Sequence, residues 1–147
     1  MQKRAIILSA IAAALLSTGS LTAVAYADDM QTTASETLYS GSWTKKTFKV
    51  SGTWTIYQDG GSTYVKLSSD FRTRNAPDLK IFLSPLAAAD TNGGNATDGS
   101  VLVAPLTSNA GEQVYEISAG VDLAAFQSIL IHCEQYSKLW SAADLTA

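Results

Sequence analysis

Cys133 and His132 are the residues whose chemistry is most distinctive in this sequence. The chain contains one cysteine and one histidine, and the two are neighbours. A thiol can take part in redox reactions, and thiol and imidazole can both bind a metal or a haem iron. These counts exclude an intramolecular disulfide, a blue-copper site, a structural zinc site and a four-cysteine iron–sulfur cluster. We therefore predict no metal site.

The same two residues limit the possible cofactors. The Cys-x-x-Cys-His motif that attaches c-type haem is missing from the sequence. The counts still permit a non-covalent haem with Cys133 or His132 as its axial ligand, and they equally permit no cofactor. A Ser-His-Asp hydrolase has no support, because no Gly-x-Ser-x-Gly turn is present.

Cys133 ends an apolar segment, residues 129–133, that has the length of a strand. Alternation along a strand places it on the face of Ile129 and Ile131, which favours burial and a low thiolate fraction. Cys133 is then either a hidden core residue or a reactive thiol, provided that the fold brings a cation near it. His132 lies on the opposite face, so the two side chains cannot readily bind one metal ion. It is either an ordinary strand residue or the axial ligand.

The rest of the chain has the period of two that is typical of half-buried strands. Strands are predicted over residues 48–51, 53–57, 64–68, 79–83, 101–103, 113–117 and 129–133. Gly60 and Gly61 predict a hairpin turn between the second and third of these strands. The strand at 79–83 is apolar on both faces and is predicted to be central, whereas residues 84–100 are predicted to form a long surface loop. A helical turn is predicted over 122–126.

This pattern predicts an all-β fold, an antiparallel β-sandwich or partly closed barrel of about seven to nine short strands. The three tryptophans and several tyrosines either pack in its core, or line a binding face or relay electrons to Cys133. The chain of 147 residues is 46% hydrophobic and 16% charged, which suits one domain with one core. Its net charge of −3 leaves no excess of cations to neutralise a phosphate backbone, so we expect no nucleic-acid partner.

The N-terminus has the pattern of an export signal. Lys3 and Arg4 precede an apolar run over residues 5–16, and an Ala-x-Ala pattern ends at Ala27. We expect cleavage after Ala27, then a flexible lead-in over 28–37 and a β domain over 38–147. The run is too short to span a membrane. We therefore expect a secreted or periplasmic protein that has no stable membrane anchor after cleavage and is a monomer.

Two stretches of the sequence resemble the DM13 domain family. They comprise residues 41–43, 48–57, Phe71 and 76–83 in the first stretch, and residues 111–115, 129–133, Tyr136, 139–140 and 143–145 in the second. The resemblance implies a β-rich fold and an electron-transfer role centred on one cysteine, which here is Cys133. In that family both a bare thiol and a thiol that binds a prosthetic group such as haem have been suggested. The residue before the cysteine, often a tryptophan in the family, is His132 here.

Two functions from different classes follow. The first is an exported DM13-like module in which Cys133 carries out thiol redox chemistry or electron transfer with a redox protein partner. The second is a non-catalytic interaction or ligand-binding module at the cell surface, in which Cys133 is a structural core residue. A dimer linked through Cys133 is a third arrangement. Whether the protein is an enzyme stays open at this point.

Overall fold

A computed structural model describes residues 34–146 of the chain. The predicted signal sequence and residues 28–33 of the predicted lead-in lie outside this range. Within it are nine strands: β1 (Glu36–Ser42), β2 (Thr44–Lys45), β3 (Thr53–Asp59), β4 (Ser62–Leu67), β5 (Leu79–Ser84), β6 (Val101–Pro105), β7 (Gln113–Ile117), β8 (Ser128–Cys133) and β9 (Lys138–Asp144). Two 3-10 helices, Ala88–Asp90 and Leu123–Ala125, complete the described elements. None of the helices in residues 34–146 is long and apolar enough to cross a membrane.

The strands form two antiparallel sheets. A four-stranded sheet has the order β1-β3-β4-β7, and a five-stranded sheet has the order β2-β9-β8-β5-β6. Only Trp43 separates β1 from β2, so the chain changes sheets at that residue. The prediction of an antiparallel sandwich is confirmed, and the sheets do not close into a barrel.

The main core lies between the two sheets. Trp54 and Ile56 from the four-stranded sheet and Ile81, Ile129 and Ile131 from the five-stranded sheet are all fully buried members of one cluster. Each such aliphatic side chain contributes roughly 1.5–3 kcal/mol when it leaves water. Alternation along the strands directs these side chains toward the core, as the period of two predicts.

Two local predictions are confirmed. Tyr57 pairs with Tyr64 across the β3–β4 hairpin, and Gly60 and Gly61 in its turn have φ values of 57° and 88°. Both values favour glycine, because a Cβ atom is strained in this region. The strand β5, predicted to be central, lies between β8 and β6 and is buried along almost its whole length.

The predicted strand over residues 48–51 is wrong. Phe48 and Val50 lie outside the strands, and Ser51 forms only an isolated bridge with Arg72. This segment crosses from one sheet to the other, and the Phe48 ring packs 4.3 Å from that of Trp140. The apolar residues of this segment alternate because they pack inward where the chain crosses between the sheets. They do not belong to a strand that is hydrogen-bonded along its length. The strands β1, β2 and β9 were not predicted. β1 begins at Glu36, two residues before Leu38, where the β domain is predicted to begin.

The predicted loop over 84–100 covers the outer face of the five-stranded sheet. Ala88 and Ala96 from this segment form a second buried cluster with side chains of that face. This segment, residues 85–100 after the end of β5, is held near its N-terminal end, because Ala88 N donates to Asp144 Oδ1 at 2.7 Å and the Ser128 hydroxyl donates to Leu86 O at 2.7 Å. This cover explains why β8 is buried on both faces.

Candidate functional site

Cys133 is the last residue of β8 and lies at the end of the five-stranded sheet. It pairs with Leu79, the first residue of β5, and with Lys138, the first residue of β9. The chain leaves the sheet immediately afterwards, at the exposed Glu134. Cys133 is therefore next in sequence to an exposed residue, although the fold covers its thiol.

The Cys133 side chain points into the main core. It is 0% exposed and belongs to the same cluster as Ile129 and Ile131, so the face predicted from strand alternation is confirmed. Trp140, at a bulge in β9, belongs to the same cluster. A thiol in such surroundings cannot meet a reagent or a partner unless part of the fold opens.

His132 lies on the outer face of the same strand. It is 2% exposed, its ring meets that of Phe82 edge-on at 6.0 Å, and its Nδ1 atom has no hydrogen-bond partner. Burial lowers the pKa of His132 below its usual value of 6.5, and the charge of Lys80 acts in the same direction, whereas Glu134 and Asp78 oppose the shift. The imidazole is accordingly neutral at neutral pH.

A cluster of three charges surrounds this end of the sheet. The Lys80 ammonium lies 3.2 Å from the Asp78 carboxylate and also bonds the Glu134 carboxylate. The hydrogen bonds that the Lys80 ammonium donates to the Glu134 and Asp78 carboxylates raise the pKa of Lys80 above its usual value. The Lys80 ammonium is bonded to these two carboxylates, whereas the Cys133 side chain faces the main core. The cluster provides no cation for a thiolate in the closed structure.

Asp78 also holds the turn that joins β8 to β9. Its backbone carbonyl accepts from Glu134 N at 3.2 Å, and its carboxylate accepts from Gln135 N at 3.1 Å. The position of Asp78 directly after Pro77 predicts that its carboxylate accepts hydrogen bonds from nearby backbone amides. In the structure the carboxylate instead accepts from an amide 57 positions away. The sequence does not predict this contact, because no local pattern marks it.

The other side of this turn is closely packed. Ser137 has a φ of 46°, in the left-handed region, and it is the non-glycine residue with positive φ within residues 34–146. A Cβ atom on Gly93 would collide with the Ser137 carbonyl oxygen. The 85–100 segment therefore touches the turn through a position where only glycine fits.

A haem does not fit these residues. Cys133 and His132 are on opposite faces of one strand, and each is covered by packed side chains, so neither leaves room for an axial bond to a haem. Within residues 34–146, no group of three or more His, Cys, Asp or Glu side chains could hold a metal ion.

The aromatic residues divide between core and surface. Trp54 is fully buried with its ring centre 6.3 Å from that of Trp43, and Trp140 is 4% exposed, which confirms core packing for these side chains. Tyr57 and Tyr64 instead stack on the outer face of the four-stranded sheet, with ring centres 5.4 Å apart. They lie on the sheet that does not contain Cys133.

Comparison with known protein families identifies the family of this chain. The family model described as "Electron transfer DM13" matches residues 43–145, which include the strands β2 to β9 but not β1. Comparisons with curated proteins and with solved structures give no match. The matched segment contains Cys133, His132 and the charge cluster around them.

Proposed function

Because the chain belongs to the DM13 family of electron-transfer domains, we propose that it is an exported electron-transfer module with Cys133 as its redox-active thiol. The observation that carries this proposal is the position of Cys133, the chain's sole thiol, as the last residue of β8. The exposed β8–β9 turn follows it directly; two hydrogen bonds to Asp78 and an ion pair with Lys80 hold one side of this turn, and Gly93 packs against the other. The thiol is buried in the closed structure and becomes reactive when the turn opens.

The opening has a defined structural basis. Two hydrogen bonds from the β8–β9 turn to Asp78 and the ion pair between Lys80 and Glu134 hold the turn against β5. A hydrogen bond of this kind contributes about 0.5–1.5 kcal/mol, and an exposed ion pair contributes less because water and salt screen it. Strand ends with few such contacts open locally at a lower free energy than the whole domain.

The chemistry in the open form is thiol–disulfide exchange with a protein disulfide. The exposed Cys133 thiol gives its proton to water, and the thiolate attacks one sulfur of the partner disulfide. A new S–S bond forms, the partner's S–S bond breaks, and the second partner sulfur leaves as a thiolate. The Cys133 sulfur is oxidised and the leaving sulfur is reduced, so one exchange balances the electrons. A further partner thiol that attacks the mixed disulfide returns Cys133 to its reduced form.

Export supports this partner class. The pattern over residues 1–27 predicts secretion, and protein disulfides persist in oxidising compartments outside the cytosol. Export is tested by expressing the full chain in its host and determining the N-terminus of the secreted product. A mature N-terminus at Asp28 is the expected result, and retention of the full-length chain in the cytosol contradicts this part of the proposal.

The direct test is mixed-disulfide formation by the native protein. The purified chain is incubated without denaturant with oxidised glutathione, and its mass is followed over time. We expect one glutathione adduct, reversed by dithiothreitol and absent from a Cys133→Ala variant. An adduct that forms in urea but not in buffer, over hours in which the protein stays folded, contradicts the proposal.

The second candidate function is a non-catalytic interaction module. Full burial of Cys133 in the main core favours it, because a structural cysteine behaves as a small hydrophobic residue. Here the thiol reacts only in globally unfolded chains, and a Cys133→Ala variant binds its partner as the wild type does. The glutathione experiment distinguishes the two functions.

A further inference from the structure

The two sheets differ in how their outer faces are covered. The 85–100 segment covers the five-stranded sheet, whereas on β3, β4 and β7 of the four-stranded sheet buried positions alternate with half-buried and exposed ones. The open positions include Thr55 and Tyr57 on β3 and Tyr64 and Lys66 on β4. Hydroxyl and aromatic side chains thus lie beside the Lys66 ammonium at these positions of β3 and β4.

A cleft lies on this face where β1 meets β3. It has a volume of about 480 Å³, and its lining residues carry three aliphatic hydroxyls, one phenol, one carboxylate and one ammonium group. These residues are Ser35, Thr37, Thr55, Tyr57, Asp59 and Lys66. The volume is within the range of small-molecule sites in proteins.

The Tyr57 ring is held in place before any ligand arrives. It stacks on Tyr64 with 26° between the ring planes, and strand pairing aligns the two residues directly across the hairpin. An aromatic ring that is already fixed binds a flat apolar surface at a small cost in entropy. Tyr57 is therefore suited to be the stacking platform of the cleft.

We propose that this cleft binds a neutral oligosaccharide. A sugar ring has an apolar C–H face that can stack on Tyr57 and hydroxyl groups that both donate and accept hydrogen bonds. The Asp59 carboxylate accepts from such hydroxyls, and the Thr37 and Thr55 hydroxyls can do either. The fixed aromatic ring therefore matches the apolar face of a sugar ring, and the hydrogen-bonding groups match the hydroxyls at its edge.

The charges and the lining argue against other ligand classes. The Lys66 ammonium lies 3.2 Å from the Glu112 carboxylate, so its charge is already balanced, and the chain carries a net charge of −3. An anionic ligand therefore gains little electrostatic attraction in the cleft. The lining includes no Ala, Val, Leu or Ile, so a lipid chain finds only the tyrosine ring, threonine methyl groups and the Lys66 stem as apolar surface.

This site is independent of the thiol chemistry. The cleft belongs to the four-stranded sheet, and Cys133 belongs to the five-stranded sheet. Sugar binding would place the module on a glycan surface, and the proposal stands whether or not Cys133 transfers electrons.

The test is a titration of the ¹⁵N-labelled full chain with cellohexaose and, separately, with chitohexaose. We expect saturable shifts of the Thr55, Tyr57 and Lys66 amides with at least one sugar. Tyr57→Ala should weaken that binding about tenfold or more, and Tyr57→Phe should retain the stacking and most of the affinity. The matched control is Val114→Ala, an exposed residue of the same sheet that does not line the cleft.

Three results would overturn the sugar site. One is the absence of saturable shifts with both sugars at millimolar concentration. Another is equal affinity in the Tyr57→Ala and Val114→Ala variants, and the third is a set of shifts that maps to residues outside the cleft. A folded spectrum for each variant shows that any loss of binding is local.

Discussion

His132 and Cys133 are consecutive in β8, yet their side chains are buried on opposite faces of one sheet. Cys133 packs in the main core between the two sheets, whereas the His132 ring meets edge-on the ring of Phe82, which belongs to the second cluster with Ala88 and Ala96. Both are almost completely buried. The cover over the outer face and the turn at the end of β8 therefore control access to this strand.

Asp78 is predicted to control the opening of the turn beside Cys133. Asp78→Ala removes the hydrogen bond from Gln135 N, worth about 1 kcal/mol, together with one solvent-screened ion pair of Lys80, so the open population should rise about fivefold. Alkylation of Cys133 in buffer should accelerate by that factor. Asp78→Asn is the matched control, since it keeps an oxygen acceptor for Gln135 N and should have a smaller effect. Equal rates in wild type and Asp78→Ala would show that the turn does not limit access.

The buried His132 is predicted to make the folded protein less stable on mild acidification. Because burial lowers its pKa in the folded state, the unfolded chain binds the proton first as the pH falls below about 6.5. The contribution of the neutral His132 to the free energy of unfolding is fully present above that pH and is lost as the pH falls toward the folded-state pKa. Urea midpoints at about pH 7.5 and about pH 5 measure it, a window above the titration of ordinary carboxylates.

The control for this pH effect is His132→Phe, which keeps an aromatic ring beside Phe82 and has no titrating group. Its urea midpoint should change less between the two pH values than that of the wild type. The Lys80, Asp78 and Glu134 charges that face this position stay in place in the variant. An identical pH dependence in both proteins would show that the histidine is not the group responsible.

Gly93 is predicted to be intolerant of any side chain. In Gly93→Ala the new Cβ meets the Ser137 carbonyl, which is backbone, so the 85–100 segment or the turn must shift at a cost of about 1–3 kcal/mol. Gly94→Ala is the neighbouring control, because its Cβ meets only the Asn92 side-chain oxygen at 3.2 Å, and we expect a change within about 0.5 kcal/mol. Urea unfolding of both variants gives the comparison, and equal stabilities would contradict the close contact.

Substitutions of Cys133 report on its burial. Cys133→Ser places a hydroxyl in the main core and should cost about 1–3 kcal/mol, because the core offers it mostly apolar neighbours. Cys133→Ala leaves a small cavity and should cost about 1 kcal/mol. Thermal unfolding should therefore rank wild type above the alanine variant and the alanine variant above the serine variant. A serine variant as stable as the wild type would indicate a solvated position.

Local pattern was enough to predict the parts of the site that depend on strand geometry. Consecutive strand residues face opposite sides, so the separation of His132 from Cys133 follows from the identification of β8 alone. The Gly60-Gly61 turn and the central position of β5 likewise have local signals, positive φ in one case and apolar residues on both faces in the other.

The contacts that close the site could not be predicted in the same way. Asp78 meets Gln135 across 57 positions, and Gly93 meets Ser137 only because the 85–100 segment folds over the sheet. Such long-range contacts leave no periodic pattern in the sequence. Phe48 shows the opposite error, since its alternation with Lys49 has the period of a strand but arises from packing against Trp140 at a crossing between sheets.

The most direct measurement is the rate of Cys133 alkylation by iodoacetamide as a function of urea. The control is a cysteine two residues earlier on the same face, made as Ile131→Cys in a Cys133→Ala background, each rate being compared with the unfolding free energy of its own protein. Local opening predicts that Cys133 reacts faster than global unfolding allows, with a weak dependence on urea, while the control follows global unfolding. If both cysteines follow global unfolding with the same urea dependence, Cys133 is a structural core residue and the redox proposal is contradicted.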